Sequence, residues 1–230
     1  VESGRQPCEA KSSTQSLRSF KPLRFVNTTT LYETDAMIIK KLKDVFTMPR
    51  LIGDRIILRE YSKEDLKFMR QWCNDPEIVD NLSDIFLFPH TVNGTEQYLN
   101  SILEGKTEQK GFVIAHKDTE EYIGQIDLFR IDWKNRSTEL GIVIGIKEYL
   151  GNGYGTEAIK ILQDFVFNRL NLNRLQLEVH DFNERAYRCY LKCGFKEEGR
   201  LREKSFVNGR YSDTIYMSIL KREYEEIIKQ

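Results

Sequence analysis

Apolar residues recur along this chain with two periods, and the switches between them mark out the elements. Arg55-Ile56-Ile57-Leu58-Arg59 reads as a first strand. Ser62, with Asp65 three positions on, signals a helix whose Leu66, Met69 and Trp72 share a face. Asn74-Asp75-Pro76 ends that helix, and Ile78–Leu82 adds a helical turn. Phe86-Leu87-Phe88-Pro89 is an apolar loop, after which Thr95 caps a second helix closed by Gly105. Gly111–Ala115, Tyr122–Arg130 and Thr138–Gly145 form three strands joined by the polar turns Glu120-Glu121 and Asp132–Arg136, which predicts an antiparallel meander.

A glycine-rich turn, Gly151-Asn152-Gly153-Tyr154-Gly155, then opens a helix with Ala158, Ile159, Ile161, Leu162, Phe165, Val166 and Leu170 at helical spacing. A fifth strand follows, Arg174–Val179. A strand, helix, strand passage is a right-handed crossover, so the fourth and fifth strands are expected to be parallel. Asn183 opens a helix through Lys192 that Gly194 closes. Strands Lys196–Val207 and Tyr211–Leu220 flank an Asn208-Gly209 hairpin turn, and a short helix runs from Glu223 to Ile228. The expected fold is α+β: a mixed, mostly antiparallel sheet of seven strands, helices on both faces, and one parallel βαβ crossover.

Before Leu51 the pattern changes. Ser3–Thr30 is rich in Ser, Thr, Arg and Lys with little periodicity, and only Leu31–Phe46 suggests a short amphipathic helix. Residues 1–47 are expected to be a flexible or non-native extension and residues 48–230 one domain.

Composition narrows the function by exclusion. Thirty-five basic and 35 acidic residues give a net charge of zero, so nothing pulls the whole chain toward nucleic acid or an anionic membrane. No apolar run of spanning length occurs and no signal-peptide core opens the sequence; the expected location is the cytoplasm. Cys8, Cys73, Cys189 and Cys193 lack metal-ligand spacing, so reduced thiols and no metal are expected.

The chemistry therefore rests on the glycine turn. Backbone N–H groups at such a helix start converge on one point, and the helix dipole favours an anion there. A tight turn with nothing bound is the bland alternative. A P-loop requires GxxxxGK[ST], and no Lys-Ser/Thr pair follows these glycines. Gly153, Gly155 and Ala158 match GxGxxG/A, but a Rossmann domain repeats parallel units, whereas this turn follows an antiparallel meander. The third option is the pyrophosphate turn of an acyl-CoA-dependent transferase.

From Leu51 to about Glu225 the sequence resembles the GNAT superfamily of acetyl-CoA-dependent N-acetyltransferases, in its RimJ/RimL-like branch, which includes spermidine acetyltransferases. Leu150-Gly151-Asn152-Gly153-Tyr154-Gly155 looks like the family's Gln/Arg-x-x-Gly-x-Gly/Ala motif. Asn183–Phe195 looks like its N-x-x-A-x-x-x-Y-x-K-x-G-F segment. Glu198–Glu203 with Asn208-Gly209 and Tyr216-Met217 resembles the branch's C-terminal hairpin, and Asn74-Asp75-Pro76-Glu77 also fits. Each motif is weak alone; their order and spacing together are strong. Leu150 departs from the pattern, which implies weaker but surviving CoA binding.

The resemblance implies the GNAT fold, acetyl-CoA as co-substrate and transfer to a primary amine by direct attack in a ternary complex. It implies that the fourth and fifth strands splay and that Val143, Ile144 and Gly145 meet the pantetheine arm through backbone groups. Leu150, Gly151, Asn152, Gly153, Tyr154, Gly155 and Thr156 would hold the pyrophosphate. Asn183 and Arg185 would contact the cofactor. Tyr190 takes the position of the general acid, with a core tyrosine as its structural alternative. Glu139, at the start of the fourth strand, is the first candidate base, and His180 the second; each also reads as a polar strand end. Glu178 and Asp181 read as solvated or ion-paired. Trp133, Phe86 and Phe88 are candidates for the acceptor wall or for core packing. The acceptor is a small-molecule amine, a polyamine or a protein N-terminus; Glu77, Asp80 and Asp84 would suit a polyamine or form a solvated face. A homodimer follows only by analogy with the branch. The competing reading is a non-catalytic acyl-CoA-binding or partner-binding module.

Overall fold

The computed structural model describes residues 50–229; the expectations for residues 1–47 and for Cys8 lie outside them. The strands are β1 (Leu51–Ile52), β2 (Ile56–Arg59), β3 (Lys110–His116), β4 (Tyr122–Asp132), β5 (Ser137–Ile144), β6 (Arg174–His180), β7 (Lys196–Val207) and β8 (Arg210–Leu220). The helices are α1 (Leu66–Trp72), α2 (Pro76–Val79), α3 (Val92–Leu103), α4 (Tyr154–Asp164), α5 (Glu184–Lys192) and α6 (Lys221–Ile227). One sheet holds all eight strands in the order β1-β2-β3-β4-β5-β6-β8-β7. Every neighbouring pair is antiparallel except β5–β6.

The α+β class and the parallel crossover are as the sequence indicates. The additional strand is β1, two residues that turn back at Gly53, whose N–H donates to Ile56 O at 2.9 Å. Two residues are too few to show alternation. The helix expected to be capped by Thr95 is capped four residues earlier. Thr91 is the N-cap and accepts from Gly94 N–H at 3.0 Å, while Thr95 is buried and donates its hydroxyl back to Thr91 O. Both threonines are competent caps, and the chain takes the one that leaves Leu99 facing the core.

Strand alternation sorts side chains onto two faces. Leu58, Ile114, Ile126, Leu128, Leu140, Leu175 and Ile219 pack under α4, α5 and α6 with Ile159, Leu162 and Phe167. Ile57, Val113, Ala115, Tyr122 and Val143 pack under α1 and α3 with Met69, Trp72 and Leu99. All of β2 is buried: Ile56, Ile57 and Leu58 are covered as the apolar run predicts, and Arg59 is paired with Asp65. Each fully buried large side chain contributes about 1.5–3 kcal/mol of transfer free energy. The C-terminal hairpin turns at Asn208 (φ 50°) and Gly209 (φ 82°), the left-handed pair that a two-residue hairpin requires.

The β5–β6 pairing is short. It covers Ser137↔Arg174, Thr138↔Leu175 and Glu139↔Gln176, and beyond that the strands part. Leu140–Ile144 keep β4 as their neighbour and Leu177–His180 keep β8. The open wedge between them is the feature on which the site is built.

Gly124 shows how closely β4 and β5 approach beside that wedge. A Cβ on Gly124 would lie 2.1 Å from Val143 O, a backbone atom that cannot step aside. Gly124→Ala should therefore cost about 3 kcal/mol or more. Urea denaturation tests this, and an unchanged midpoint would contradict the close approach.

Candidate active site

A cavity of about 1170 Å³ runs from the glycine turn and α5, through the wedge, to the space beneath α1 and α3. The turn forms its first wall. Gly151 (φ 77°) and Gly153 (φ 84°) both occupy the left-handed region, where a side chain would be strained. Gly153 is the N-cap of α4 and has no side chain with which to cap it. The first intrahelical bond is Glu157 N–H to Gly153 O at 3.0 Å. The N–H groups of Tyr154, Gly155 and Thr156 are thus left without acceptors among the described residues, at the positive end of the dipole.

The turn is clamped from outside by Arg55, a residue absent from the expected set. Its Nη1 donates to Asn152 O at 3.0 Å, and its guanidinium lies 4.4 Å from the Tyr154 ring centre. Glu157 accepts from Arg55 N–H at 2.8 Å and pairs with Arg55 Nε at 2.9 Å. Asn152 donates to Glu148 O at 2.8 Å. Leu150 lines the cavity without a polar group to offer. The sequence signal for Arg55 is a basic residue opening the first strand, but its partner lies 102 positions away.

The wedge supplies the second wall. Gly145 N–H donates to Ile123 O at 2.9 Å. Antiparallel alternation then turns the backbone groups of Val143 toward β4 and those of Leu140, Ile142 and Ile144 toward the wedge. Ile144 therefore turns its backbone groups to the wedge, whereas Val143 turns its own to the sheet and buries its side chain by Trp72. Gly145 lies at the strand end, where a Cβ would fall 2.5 Å from the Trp72 ring. Glu139 belongs to the last β5–β6 pair, at the apex, and its carboxylate is 3.4 Å from Arg130 Nη1.

Helix α5 closes the mouth. Asn183 is its N-cap, accepting from Ala186 N–H at 3.1 Å, so its carboxamide oxygen is occupied. Arg185, Arg188 and Lys192 line the cavity along one side of α5. Thr156 Oγ1 and Cys189 Sγ are 3.2 Å apart. Tyr190 is only 8% exposed and lines the cavity, yet its hydroxyl has no hydrogen-bond partner among the described residues. Burial, and then the neighbouring Cys189 and Cys193 thiols, raise its pKa well above the ordinary phenol value. It is a neutral donor near pH 7.

His180 also lines the cavity, but its ring is immobilised. Nε2 is 3.2 Å from Leu82 O, the ring stacks on Phe182 at 5.0 Å, and Nδ1 is buried without a partner. Glu178 pairs with Lys204 at 2.6 Å, and Asp181 accepts from Ser212 at 2.7 Å. Of the aromatic candidates, Phe86 reaches the cavity and packs on Trp72, whereas Phe88 (77% exposed) and Trp133 (62% exposed) face solvent. The three acids diverge: Glu77 pairs with Lys147, Asp80 accepts from Asn208, and Asp84 lines the cavity. Cys73, Cys189 and Cys193 are free thiols, and no described helix is long and apolar enough to cross a membrane.

Under α1 and α3 lies a polar cluster on a stretch whose sequence reads as plain strand. Asp127, on β4, is 4% exposed and lines the cavity. Tyr61 Oη donates to its Oδ1 at 2.7 Å and Gln125 Nε2 to its Oδ2 at 3.2 Å. Trp72 Nε1 donates to Tyr122 Oη at 2.9 Å, and Tyr122 donates on to Gln125 at 3.4 Å. Burial pushes the Asp127 pKa up to about 6, with the donors Tyr61, Gln109 and Gln125 opposing the rise. The available signal was an acid and an amide two apart on one face of an otherwise apolar strand.

Comparison with known proteins follows the same lines. The family model described as the acetyltransferase (GNAT) domain matches residues 55–196. An uncharacterised N-acetyltransferase p20 of Bacillus licheniformis is 33% identical over 180 residues, covering 77% of this chain and 99% of its own. The spermidine N(1)-acetyltransferase of Vibrio cholerae is 32% identical, covering 75% of this chain and 97% of its own. The crystal structure of a Vibrio cholerae spermidine N-acetyltransferase in complex with CoA and spermine superposes with a TM-score of 0.67 at 31% identity, covering 74% of this chain and 98% of that one.

The Asp127 carboxylate carries a stability consequence. Its folded pKa of about 6 exceeds the unfolded 3.8. The folded state therefore binds the proton more tightly, and stability falls as pH rises through that interval. At about 1.4 kcal/mol per pH unit, the charged form costs on the order of 3 kcal/mol above the interval. Asp127→Asn, which keeps an acceptor for Tyr61, should raise the unfolding free energy by about 2–3 kcal/mol at pH 7.5, with no gain below pH 4. Denaturation at both pH values checks this; a variant less stable at pH 7.5 would make the carboxylate a structural support instead.

Proposed function

This chain belongs to the GNAT acetyltransferase family, and on that premise we propose that it transfers an acetyl group from acetyl-CoA to a primary amine by direct attack within the wedge between β5 and β6. The observation that carries the reading is the unpartnered Tyr190 hydroxyl, facing a cavity whose far end is an uncapped helix N-terminus.

The residues fit the co-substrate. The free N–H groups of Tyr154, Gly155 and Thr156 would donate to a pyrophosphate, so the reading does not depend on a side chain at position 150. Gly155 leaves the passage open: a Cβ there would meet only ordinary contacts at 3.9 Å. Arg185 and Lys192 give the entrance positive charge, and Arg188 beside them is paired with Glu184. The wedge-facing groups of Leu140, Ile142 and Ile144 take the place of a missing ladder for the amides of the pantetheine arm. Acetyl-CoA, when bound, supplies the activated acyl group and a thiol leaving group.

The chain's own groups then manage protons and charge. Glu139, at the apex of the wedge, accepts the acceptor amine's proton through water, since only the neutral amine is nucleophilic. A wedge-facing N–H of β5 stabilises the developing oxyanion. Tyr190 donates its proton to the departing sulfur, which a neutral phenol of raised pKa does only as negative charge builds there. The acceptor class is a primary amine with a hydrocarbon body, because Met69, Trp72 and Phe86 line the cavity beyond the wedge. Relatives named for spermidine support polyamines within that class.

Tyr190→Phe should lower kcat for amine acetylation by about 10²–10³-fold while leaving the KM for acetyl-CoA unchanged. Thiol release under saturating acetyl-CoA measures it; full activity in the variant would remove Tyr190 from the chemistry. Acetyl-CoA at a hundred times its dissociation constant should stabilise the full chain by about 2.7 kcal/mol in thermal unfolding. NADH should give no shift, and the reverse pattern would overturn the family's cofactor for this chain.

A further inference from the structure

Asp127 is a buried carboxylate in a ligand-sized cavity, and none of the described residues pairs it with a cation. The other buried acid, Asp65, is held by Arg59 at 2.7 Å. Glu139 and Glu178, which line the same cavity, have Arg130 and Lys204. Among the described residues, Asp127 receives only neutral donors. An uncompensated buried acid is costly, and the fold makes room for this one. Its register partners on both sides are glycines, Gly111 on β3 and Gly141 on β5. A Cβ on Gly111 would lie 1.9 Å from Asp127 Oδ1, so that glycine leaves the space the carboxylate fills.

The same contact fixes where the charge lies. The carboxylate leans over β3, away from the wedge. Two strand spacings, about 10 Å, separate that position from the far edge of β5 where the amine must react. Gly141 carries the Phe129 ring across the intervening floor, and Trp72 and Met69 line the wall. Phe129, Trp72 and Met69 thus give the lane between the two points apolar surface.

We propose that Asp127 anchors a second, non-reacting ammonium of the acceptor, so that the enzyme selects amines bearing a distal cation at the end of an extended hydrocarbon chain. This rests on the acetyltransferase reading for the position of the reacting amine. Asp127 is a specificity-determining residue in this assignment, and Tyr61 and Gln125 hold its carboxylate toward the ligand.

Diaminooctane and octylamine share one hydrocarbon and differ in the distal charge. Each is titrated by calorimetry into the full chain saturated with CoA, and each is assayed for acetylation. Asp127→Asn should weaken diaminooctane binding and raise its KM by about 10- to 100-fold, the effect of losing one charge-assisted contact. Octylamine binding and the KM for acetyl-CoA should stay at wild-type values. Equal losses for both amines, or no loss for either, overturn the proposal. Failure of the acetyltransferase reading appears separately, as absent CoA binding or absent turnover of both amines.

Wild-type protein provides a test that needs no variant. The preference for diaminooctane should fade as pH falls from 7.5 to 5, while both amines stay charged. Tyr61, Tyr98 and Tyr122, which surround the carboxylate from the loop after β2, from α3 and from β4, are raised by burial and stay neutral throughout. His90 and His180 line the same cavity and remain in Asp127→Asn, whose preference should be flat with pH. A wild-type preference independent of pH overturns the assignment.

Discussion

Everything distinctive in this molecule follows from the separation of β5 and β6 after three register pairs. Both strands continue, and each keeps one hydrogen-bonded neighbour, β4 for the first and β8 for the second. The opening therefore leaves only one edge of each strand unpaired. That edge is a row of backbone donors and acceptors lining a cavity rather than facing bulk solvent. Such groups require partners. A linear molecule carrying amides satisfies them as a third strand would, which is why this gap suits a pantetheine arm.

The electrostatics divide along the cavity. The end beside α4 is made positive by the uncapped helix and by the basic side of α5. The end beneath α1 and α3 is made negative by Asp127 and is walled by aromatic rings. A ligand with phosphates at one end and a ligand with an ammonium at the other can therefore enter from opposite sides and meet at the wedge. Arg55 stands outside this arrangement yet supports it. By fixing the carbonyl of Asn152 and stacking on Tyr154, it holds the turn whose N–H groups are proposed to take the pyrophosphate.

Most of the sheet was legible in the sequence because strand alternation and turn chemistry are local. The Asn208-Gly209 turn, the glycine pair at 151 and 153 and the parallel crossover are each dictated by residues within a few positions of one another. What was not legible depended on relations across the sheet. The direction of Val143's backbone is a matter of hydrogen-bond phase, set by Gly145 and Ile123. The choice of Thr91 over Thr95 was decided by which start buries Leu99. Asp127 looks like an ordinary polar strand position, and its isolation from any cation among the described residues appears only when Gly111, Tyr61 and Gln125 are brought around it. His180 is the reverse case: its residue type suggested a base, and tertiary packing against Leu82 and Phe182 fixed it in place.

The three pairs that end at Glu139 and Gln176 also define a mechanical seam. Strands β1–β5 are linked by antiparallel ladders, as are β6–β8, but between these halves the ladder covers only the base of the wedge. The crossover through α4 is the chain's covalent tie across it. A molecule lying in the wedge bonds to the free edge on either side, and so acts as a splint between two plates. The wedge proposed to take the co-substrate is thus the line where only three register pairs join the two halves of the sheet, and a ligand bound there would join them along its length.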